Sequence, residues 1–122
     1  MSEGADGAIT DEYMREQLAR TAPYTVALLH RGPAYGGEGA DAVIWEHGRR
    51  NFALRARGVL DVVVPLPPAP GVTVGLAGLA IFSVPPDEVR ALLDADPAVE
   101  AGILTYEVHE GRGFPGDALR AR

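Results

Sequence analysis

Residues 87–110, DEVRALLDADPAVEAGILTYEVHE, are the stretch of sequence that decides the fold. The segment Asp87–Ala95 has apolar residues at helical spacing and begins with two acidic residues, which favour the positive end of the helix dipole. Pro97 ends this helix, because the residue before a proline is pushed out of the helical region of backbone space. Ile103–Glu110 then alternates apolar and polar residues, as a half-buried strand does. The stretch therefore predicts a helix followed by a strand.

The preceding part of the chain predicts one more long helix and three more strands. The helix has Asp41 as its N-cap, runs to Arg57 and stops at Gly58, a residue suited to a left-handed C-terminal cap. Each strand is apolar and bounded by glycine or proline. The proline-rich segment Pro65–Gly71 is a loop, because proline lacks the donor that a sheet needs. The predicted strands are Tyr24–His30, Val59–Leu66 and a segment within Val72–Val84.

The order of these elements is β-α-β-β-α-β, the split βαβ arrangement of ferredoxin-like α+β folds. An extra helix, Thr10–Arg20 with Thr10 as N-cap, precedes the first strand. A chain of 122 residues is expected to form one domain with one core. We predict a flexible leader and short accessory helix over residues 1–22, and a single α+β domain with a C-terminal tail over residues 23–122.

The predicted sheet has both main helices on one face, so its other face needs cover. The third strand is apolar on both sides. Pairing two such sheets face to face across a two-fold axis would cover this surface. We therefore predict a homodimer that forms through the sheet faces.

The composition excludes several kinds of chemistry. The chain contains no cysteine, and its 11 basic residues are all arginine. Thiol nucleophiles, disulfides, cysteine-ligated zinc, iron–sulfur clusters, lysine Schiff bases and the Walker A lysine are thus excluded by residue type. Histidine, carboxylates, tyrosine, arginine and a few hydroxyls remain to carry any reaction.

The charge pattern predicts neither nucleic-acid nor membrane binding. The formal charge is −6 and the arginines are scattered, whereas phosphate binding needs a clustered basic face. The densest group, within residues 49–57, is interpreted as the solvated face of the long helix. No apolar run reaches the roughly 20 residues of a membrane span, and the acidic N-terminus is unlike a signal peptide. A soluble cytoplasmic protein is expected.

His47 is the first acid–base candidate, because histidine is the side chain that titrates near neutrality. On the predicted helix it shares a face with Ile44, Asn51 and Leu54, at spacings of three and four. That position by itself favours a hydrogen-bonded histidine at the rim of the core. Asn51, one turn further along, is a candidate substrate-binding residue.

Asp96 is the second candidate. Pro97 holds its backbone extended, which fixes where the carboxylate points. The position also suits an N-cap, with Pro97 first in a single turn that ends at Gly102. The two roles are compatible if one carboxylate oxygen caps the turn and the other orients a histidine.

Further candidates lie around the glycine-rich loop Arg31–Ala40, whose length is typical of functional loops. His30 ends the first strand and could line the mouth of a pocket for a small-molecule ligand. Tyr35 and Trp45 could form an aromatic wall for a ring-shaped substrate, although packing or surface anchoring is the commoner role of such residues. His109 is a weaker candidate at the end of the last strand.

No cofactor and no metal site is predicted. Gly37–Ala42 formally matches the dinucleotide pattern GxGxxA, but it lies beyond the tight turn that the pattern needs, and the chain lacks repeated βαβ units. No H-x-H, HExxH or similar spacing indicates a metal site. Neither Ser2 nor Ser83 lies in a nucleophile-elbow motif.

Two features together carry a resemblance to a known family. The helix with His47 ends eleven residues later at Gly58, followed by Val59 and Leu60, and residues 96–103 read DPAVEAGI. The second feature looks like the D-P-x-V-x-A-G-[IV] segment of the YciI-like (YCII-related) proteins, small bacterial proteins of the dimeric α+β barrel superfamily. The order and spacing agree from about Tyr24 to Phe114, which is most of the chain.

The resemblance implies a ferredoxin-like monomer, a dimer through the sheets, and a pocket whose active site is a His–Asp pair. By position, His47 and Asp96 take these roles. It further implies a cofactor-free enzyme that transfers a proton on a small organic substrate, of isomerase, dehydrochlorinase or lyase type. The chain departs from the family in Val64–Pro70, where A-G-P is replaced, and in Gly78–Ala80, where a small polar residue is expected.

Two other functions stay open from the sequence. A cofactor-free monooxygenase of the same superfamily would use Trp45, Tyr35 and Asn51 to bind a phenolic polyketide. A non-catalytic ligand-binding dimer would need only the cavity.

Overall fold

The computed structural model describes residues 7–122 of the chain. The predicted leader, in its residues 1–6, lies outside the described residues. The order of helices and strands is α1 (Asp11–Leu18), β1 (Ala22–Arg31), α2 (Ala40–Ala56), β2 (Leu60–Pro65), β3 (Leu76–Phe82), α3 (Pro86–Asp94), α4 (Pro97–Glu100) and β4 (Leu104–Gly113).

The chain forms two compact units. One is Tyr24–Gly111, which holds most of the sheet and helices α2 to α4. The other is the described part of Met1–Pro23 together with Arg112–Arg122. Within this second unit, the Arg112 guanidinium donates to the hydroxyl oxygen of Thr21 at 3.0 Å and to its carbonyl oxygen at 2.8 Å. The C-terminal residues thus group with the N-terminal helix, whereas the sequence division was placed at residue 22 alone.

The four strands form one antiparallel sheet in the order β2-β3-β1-β4. Ala80 of β3 lies opposite Ala27 of β1 on one side and opposite Val63 of β2 on the other. This strand order with two crossover helices is the ferredoxin-like arrangement. The predicted α+β ferredoxin-like fold is therefore confirmed.

The core lies between the helices and one face of the sheet. Successive strand residues point to opposite faces, so every second residue of β1 and β3 is buried. Phe82 is the largest of the fully buried side chains. The buried apolar residues are Ala27, Leu29, Ala40, Leu54, Leu60, Ala80, Phe82, Val89, Leu93, Ala98, Ile103 and Leu104.

The other face of the sheet is apolar and only partly covered in the single chain. The intervening residues Val26 and Leu28 of β1 lie opposite Ile81 and Leu79 of β3, and all four keep some exposure. Val64 of β2 lies opposite Leu79 on the same face. These neighbouring side chains form an apolar surface at the centre of the sheet.

Helix α2 begins differently from the sequence expectation, and the N-cap predicted at Asp41 is wrong. The helix starts at Ala40, and its N-cap is Gly39 in the left-handed region with φ 77°. Glycine adopts this conformation without the steric cost of a Cβ. Asp41 lies in the first turn, where its carboxylate interacts favourably with the helix dipole.

The predicted N-cap of α1 is confirmed, because the Thr10 hydroxyl oxygen accepts from the Tyr13 N–H at 3.1 Å.

Replacing Phe82 by alanine should destabilise the fold by about 3–5 kcal/mol, because the side chain is 2% exposed and its loss leaves a cavity. Urea unfolding followed by circular dichroism measures the change. Phe52→Ala is the matched control, since Phe52 is 73% exposed and the same atoms are removed. Equal destabilisation by the two substitutions would contradict this account of the core.

Candidate functional site

A cavity of about 580 Å³ lies within the unit Tyr24–Gly111. Helix α2 forms one wall, with Ile44, His47 and Asn51 facing inward. The core side of the sheet forms another wall, which includes Leu29 and Ala80. The start of the proline-rich loop, through Leu66, Pro67 and Pro68, also borders the cavity. Its size is within the range of pockets that hold small molecules.

Helical periodicity explains which residues of α2 reach the cavity. Residues three and four positions apart share one face of a helix. Ile44, His47, Asn51 and Arg55 follow this spacing and all line the cavity. Leu54, which the sequence placed on the same face, is buried. One stripe of α2 therefore supplies both core contacts and polar groups.

Asp96 is held in place by its own backbone and by the start of α4. Its φ of −75° and ψ of 132° are extended, as Pro97 requires. One carboxylate oxygen, Oδ1, accepts from the Ala98 N–H at 2.8 Å and from the Val99 N–H at 3.4 Å. The N-cap predicted at Asp96 is thus confirmed. The side chain is among the largest fully buried ones.

The second carboxylate oxygen of Asp96 contacts His47. The distance from His47 Nδ1 to Asp96 Oδ2 is 2.8 Å. An ionised carboxylate only accepts, so Nδ1 carries the hydrogen and donates it. The neutral ring then has its lone pair on Nε2. Asp96 thus both caps α4 and fixes the orientation of His47, the two compatible roles that the sequence allows.

The pKa of Asp96 lies below its usual value. Burial opposes ionisation and raises the pKa. The hydrogen bond and the charge of His47 lower it, as do the N–H groups of Ala98 and Val99, and together they outweigh burial. Hydrogen bonds to the charged form are a known cause of such a decrease. Asp96 is therefore an anion at neutral pH.

Asn51 completes the polar group on α2. Its Nδ2 lies 3.3 Å from His47 Nε2. An amide donates through its nitrogen to the neutral ring, and after rotation it accepts through its oxygen from the protonated ring. Asn51 can therefore adapt to either protonation state of His47.

The predicted ligand-binding residues separate into two groups. Tyr35 and Asn51 line the cavity, whereas Trp45 and His30 do not. Trp45 follows Ile44 directly and so points about 100° away around the helix, where it is 71% exposed. His30 alternates with Leu29 and lies on the opposite face of the sheet. The structure therefore places Trp45 and His30 outside this cavity, contrary to the prediction that they bind a ligand there.

His30 belongs to a separate polar cluster on that face. Its Nε2 lies 2.9 Å from one oxygen of Glu107, and Nε2 of His109 lies 3.0 Å from the other. The hydrogen bonds from His109 and then from His30 lower the pKa of Glu107. The cluster is exposed and shares no residue with the cavity.

Sequence reasoning missed two arginines of the cavity. Arg31 is the last residue of β1, and Arg55 lies one turn after Asn51; both line the cavity. Their spacing from Leu29 and from Asn51 is the signal for this placement, whereas the charge pattern of residues 49–57 predicts a solvated face. The positive charge of the cavity follows only from the tertiary structure, which brings Arg31 of β1 and Arg55 of α2 to the same cavity.

No group of three or more histidine or acidic side chains among residues 7–122 is arranged to hold a metal ion. Within the same residues, no helix is long and apolar enough to cross a membrane.

Comparisons with known proteins find likeness to solved structures. No protein-family model matches the chain, and no curated protein matches it. Among solved structures, the chain is similar to 5-chloro-2-hydroxyhydroquinone dehydrochlorinase from Burkholderia phenoliruptrix AC1100, in complex with 2,5-dihydroxybenzoquinone. The two are 19% identical with a TM-score of 0.46, over 69% of this chain and 90% of that chain.

Replacing Asp96 by asparagine should reduce stability in a pH-dependent way. Asparagine still caps a helix well, but the negative charge is lost. Because the folded pKa of Asp96 is depressed, its ionisation stabilises the fold above the unfolded pKa of about 3.9, and this contribution is lost as the pH falls through the folded value. We expect the variant to be less stable than the wild type at neutral pH, with the difference shrinking below about pH 4.

Urea unfolding of both proteins between neutral pH and about pH 3 measures this difference. Asp87→Asn is the control, because it removes an exposed carboxylate that is paired with Arg90 on the same helix. A difference for Asp96→Asn that does not change with pH would contradict the assigned role of its charge.

Proposed function

We propose that the cavity is the active site of a small cofactor-free acid–base enzyme, in which His47 transfers a proton on a small organic substrate. The observation that carries the proposal is the 2.8 Å hydrogen bond from His47 Nδ1 to the buried carboxylate of Asp96, on a ring that lines the cavity. The reaction is of isomerase, dehydrochlorinase or lyase type.

The proton transfer uses the lone pair of His47 Nε2, from which the substrate displaces the amide of Asn51. This nitrogen takes a proton from carbon or oxygen of the substrate, and the imidazolium that forms is stabilised by the Asp96 carboxylate. In an isomerisation the proton returns to another substrate atom. In an elimination, the electron pair of the broken C–H bond forms a double bond, and the leaving group departs with its own pair. Neither reaction needs an oxidant or a reductant.

Two features of the cavity support this role. Its walls include the apolar side chains of Ile44, Leu29 and Ala80, and electrostatic interactions beside apolar walls are stronger than in bulk water. Asn51 lies beside Nε2 and can hand this position to a substrate group, since its own contact is a long one of 3.3 Å. Asp96 acts through His47 and is a positioning residue in this mechanism.

A non-catalytic ligand-binding protein is the second candidate. The contact from Asn51 to His47 Nε2 favours it, because the proposed base already has a partner in the free protein. The same cavity would then bind a ligand without changing it.

Replacing His47 by glutamine should lower the rate of proton transfer by about 10²- to 10⁴-fold, the usual contribution of a general base. The assay incubates the protein in D₂O with a panel of enolisable ketones, lactones and chlorinated hydroquinones. Proton NMR follows deuterium exchange and product formation, and an electrode follows chloride release. His109→Gln is the control, because His109 lies in the exposed cluster with Glu107. Full activity in the His47 variant, or none in the wild type on any substrate, would contradict the proposal.

Asp96→Asn tests the positioning role in the same assay. We expect a rate reduced by about tenfold or more and a changed pH profile, because the asparagine no longer stabilises the imidazolium. A purely structural role of Asp96 would lower the amount of folded protein without changing the pH profile.

We also propose that the chain is a homodimer through the outer sheet face. The apolar surface around Leu28, Leu79 and Ile81 supports it, because a partly exposed apolar patch on a sheet is a typical site of association.

A charge at the centre of this face should separate the protomers. We expect the wild type to sediment at twice the chain mass of 12.9 kDa and Ile81→Glu at the chain mass, because burying an unpaired carboxylate is costly. Analytical ultracentrifugation measures both. Trp45→Glu, at an exposed position on α2, is the control. A monomeric wild type would contradict the dimer.

A further inference from the structure

We propose that the Arg31 end of the cavity binds a carboxylate, so that the natural ligand is a small organic acid with an apolar body. That this acid is the substrate rests on the proposed function. That the cavity binds a carboxylate is argued from its charged residues alone.

The charged side chains of the cavity wall leave an excess of positive charge. Besides His47, they are Arg31, Arg55 and Asp41. No carboxylate among residues 7–122 forms an ion pair with Arg31 or Arg55. Two cations thus face the cavity against one anion, and an anionic ligand would restore the balance.

Arg31 is held rigidly and is only partly satisfied. Its Nη1 donates to the carbonyl oxygens of Val74 and Leu76, and its Nη2 donates to the carbonyl oxygen of Leu66. These three bonds leave one hydrogen on Nη2 without a partner; Nε also lacks a partner but is buried away from the cavity solvent. Carbonyl groups satisfy donors but carry no net charge. The fixed guanidinium therefore keeps its positive charge and one Nη2 hydrogen for a carboxylate.

Tyr35 and the start of α2 also lie at this wall of the cavity. The ring of Tyr35 lies 5.3 Å from the guanidinium carbon, and its face supports the cation. The chain continues from Tyr35 through Gly36 to the start of α2, and the N-cap residue Gly39 has no side chain to cap the helix. The positive end of the helix dipole therefore lies at this cavity wall, partly offset by Asp41 in the first turn.

Arg31 and His47 line the same cavity, so a ligand whose carboxylate binds at Arg31 shares this cavity with the ring of His47. The apolar side chains of the cavity wall suit a hydrocarbon or aromatic body better than an inorganic anion.

Benzoate and benzamide test the inference, because they share one shape and differ in charge. Binding to the full-length chain is measured by isothermal titration and by ¹⁵N NMR shifts at low salt. We expect benzoate to bind at least about tenfold more tightly than benzamide, and phosphate more weakly than benzoate. Arg31→Gln should bring the ratio of the two affinities close to one. Arg49→Gln, which removes an exposed cation paired with Glu46 on α2, should leave it unchanged.

Equal binding of benzoate and benzamide, no binding of either, or phosphate binding as tight as benzoate would overturn the inference. If Arg31→Gln does not fold, Arg31→Lys replaces it: the charge remains, and benzoate should stay preferred with reduced affinity. A preference that persists at full strength in Arg31→Gln would also overturn it.

The titration repeated on His47→Gln separates this inference from the proposed function. Unchanged preference for benzoate in that variant supports the carboxylate site whatever the activity screen shows. Proton transfer that depends on His47 but acts only on neutral substrates would overturn the carboxylate site and leave the proposed function standing.

Discussion

The carboxylate of Asp96 is the group on which the arrangement of the site depends. One oxygen caps α4 and the other holds the ring of His47, so a single side chain joins the last turn before β4 to the middle of α2. A buried carboxylate is costly unless it is paired and hydrogen-bonded, and here each of its partners meets that need. The same bonds that make its burial tolerable also determine which nitrogen of His47 faces the cavity.

The cavity gathers three kinds of structure around this contact. Helix α2 supplies His47 and Asn51 from one stripe, the sheet supplies an apolar wall, and the proline-rich loop closes one side. Arg31 connects the sheet to that loop through carbonyl groups of Leu66, Val74 and Leu76. The cavity therefore has a histidine on α2 and an arginine where β1 meets the loop, and the proposed proton transfer and carboxylate binding rest on these two groups.

Much of the fold could be predicted from local pattern. Strand alternation and helix spacing predicted the element order, and the strand order confirms the ferredoxin-like fold. The start of α2 differs by two residues from the predicted N-cap, because Gly39 adopts the left-handed backbone conformation and becomes the N-cap. Asp41 therefore lies inside α2. The capping role of Asp96 was predictable because Pro97 fixes its backbone. For His47, the predicted face of α2 was correct, but a face alone does not name a partner.

The sequence by itself determined which chemistries this chain can use and which face of each element is apolar, since residue type and periodicity are local properties. The absence of cysteine and lysine left histidine as the natural proton carrier. Only the tertiary structure decided that His47 meets Asp96, that Arg31 and Arg55 face the cavity, and that Trp45 and His30 do not. These facts depend on how α2 is rotated against the sheet and on which residues distant in sequence meet across the core, and local spacing does not contain that information.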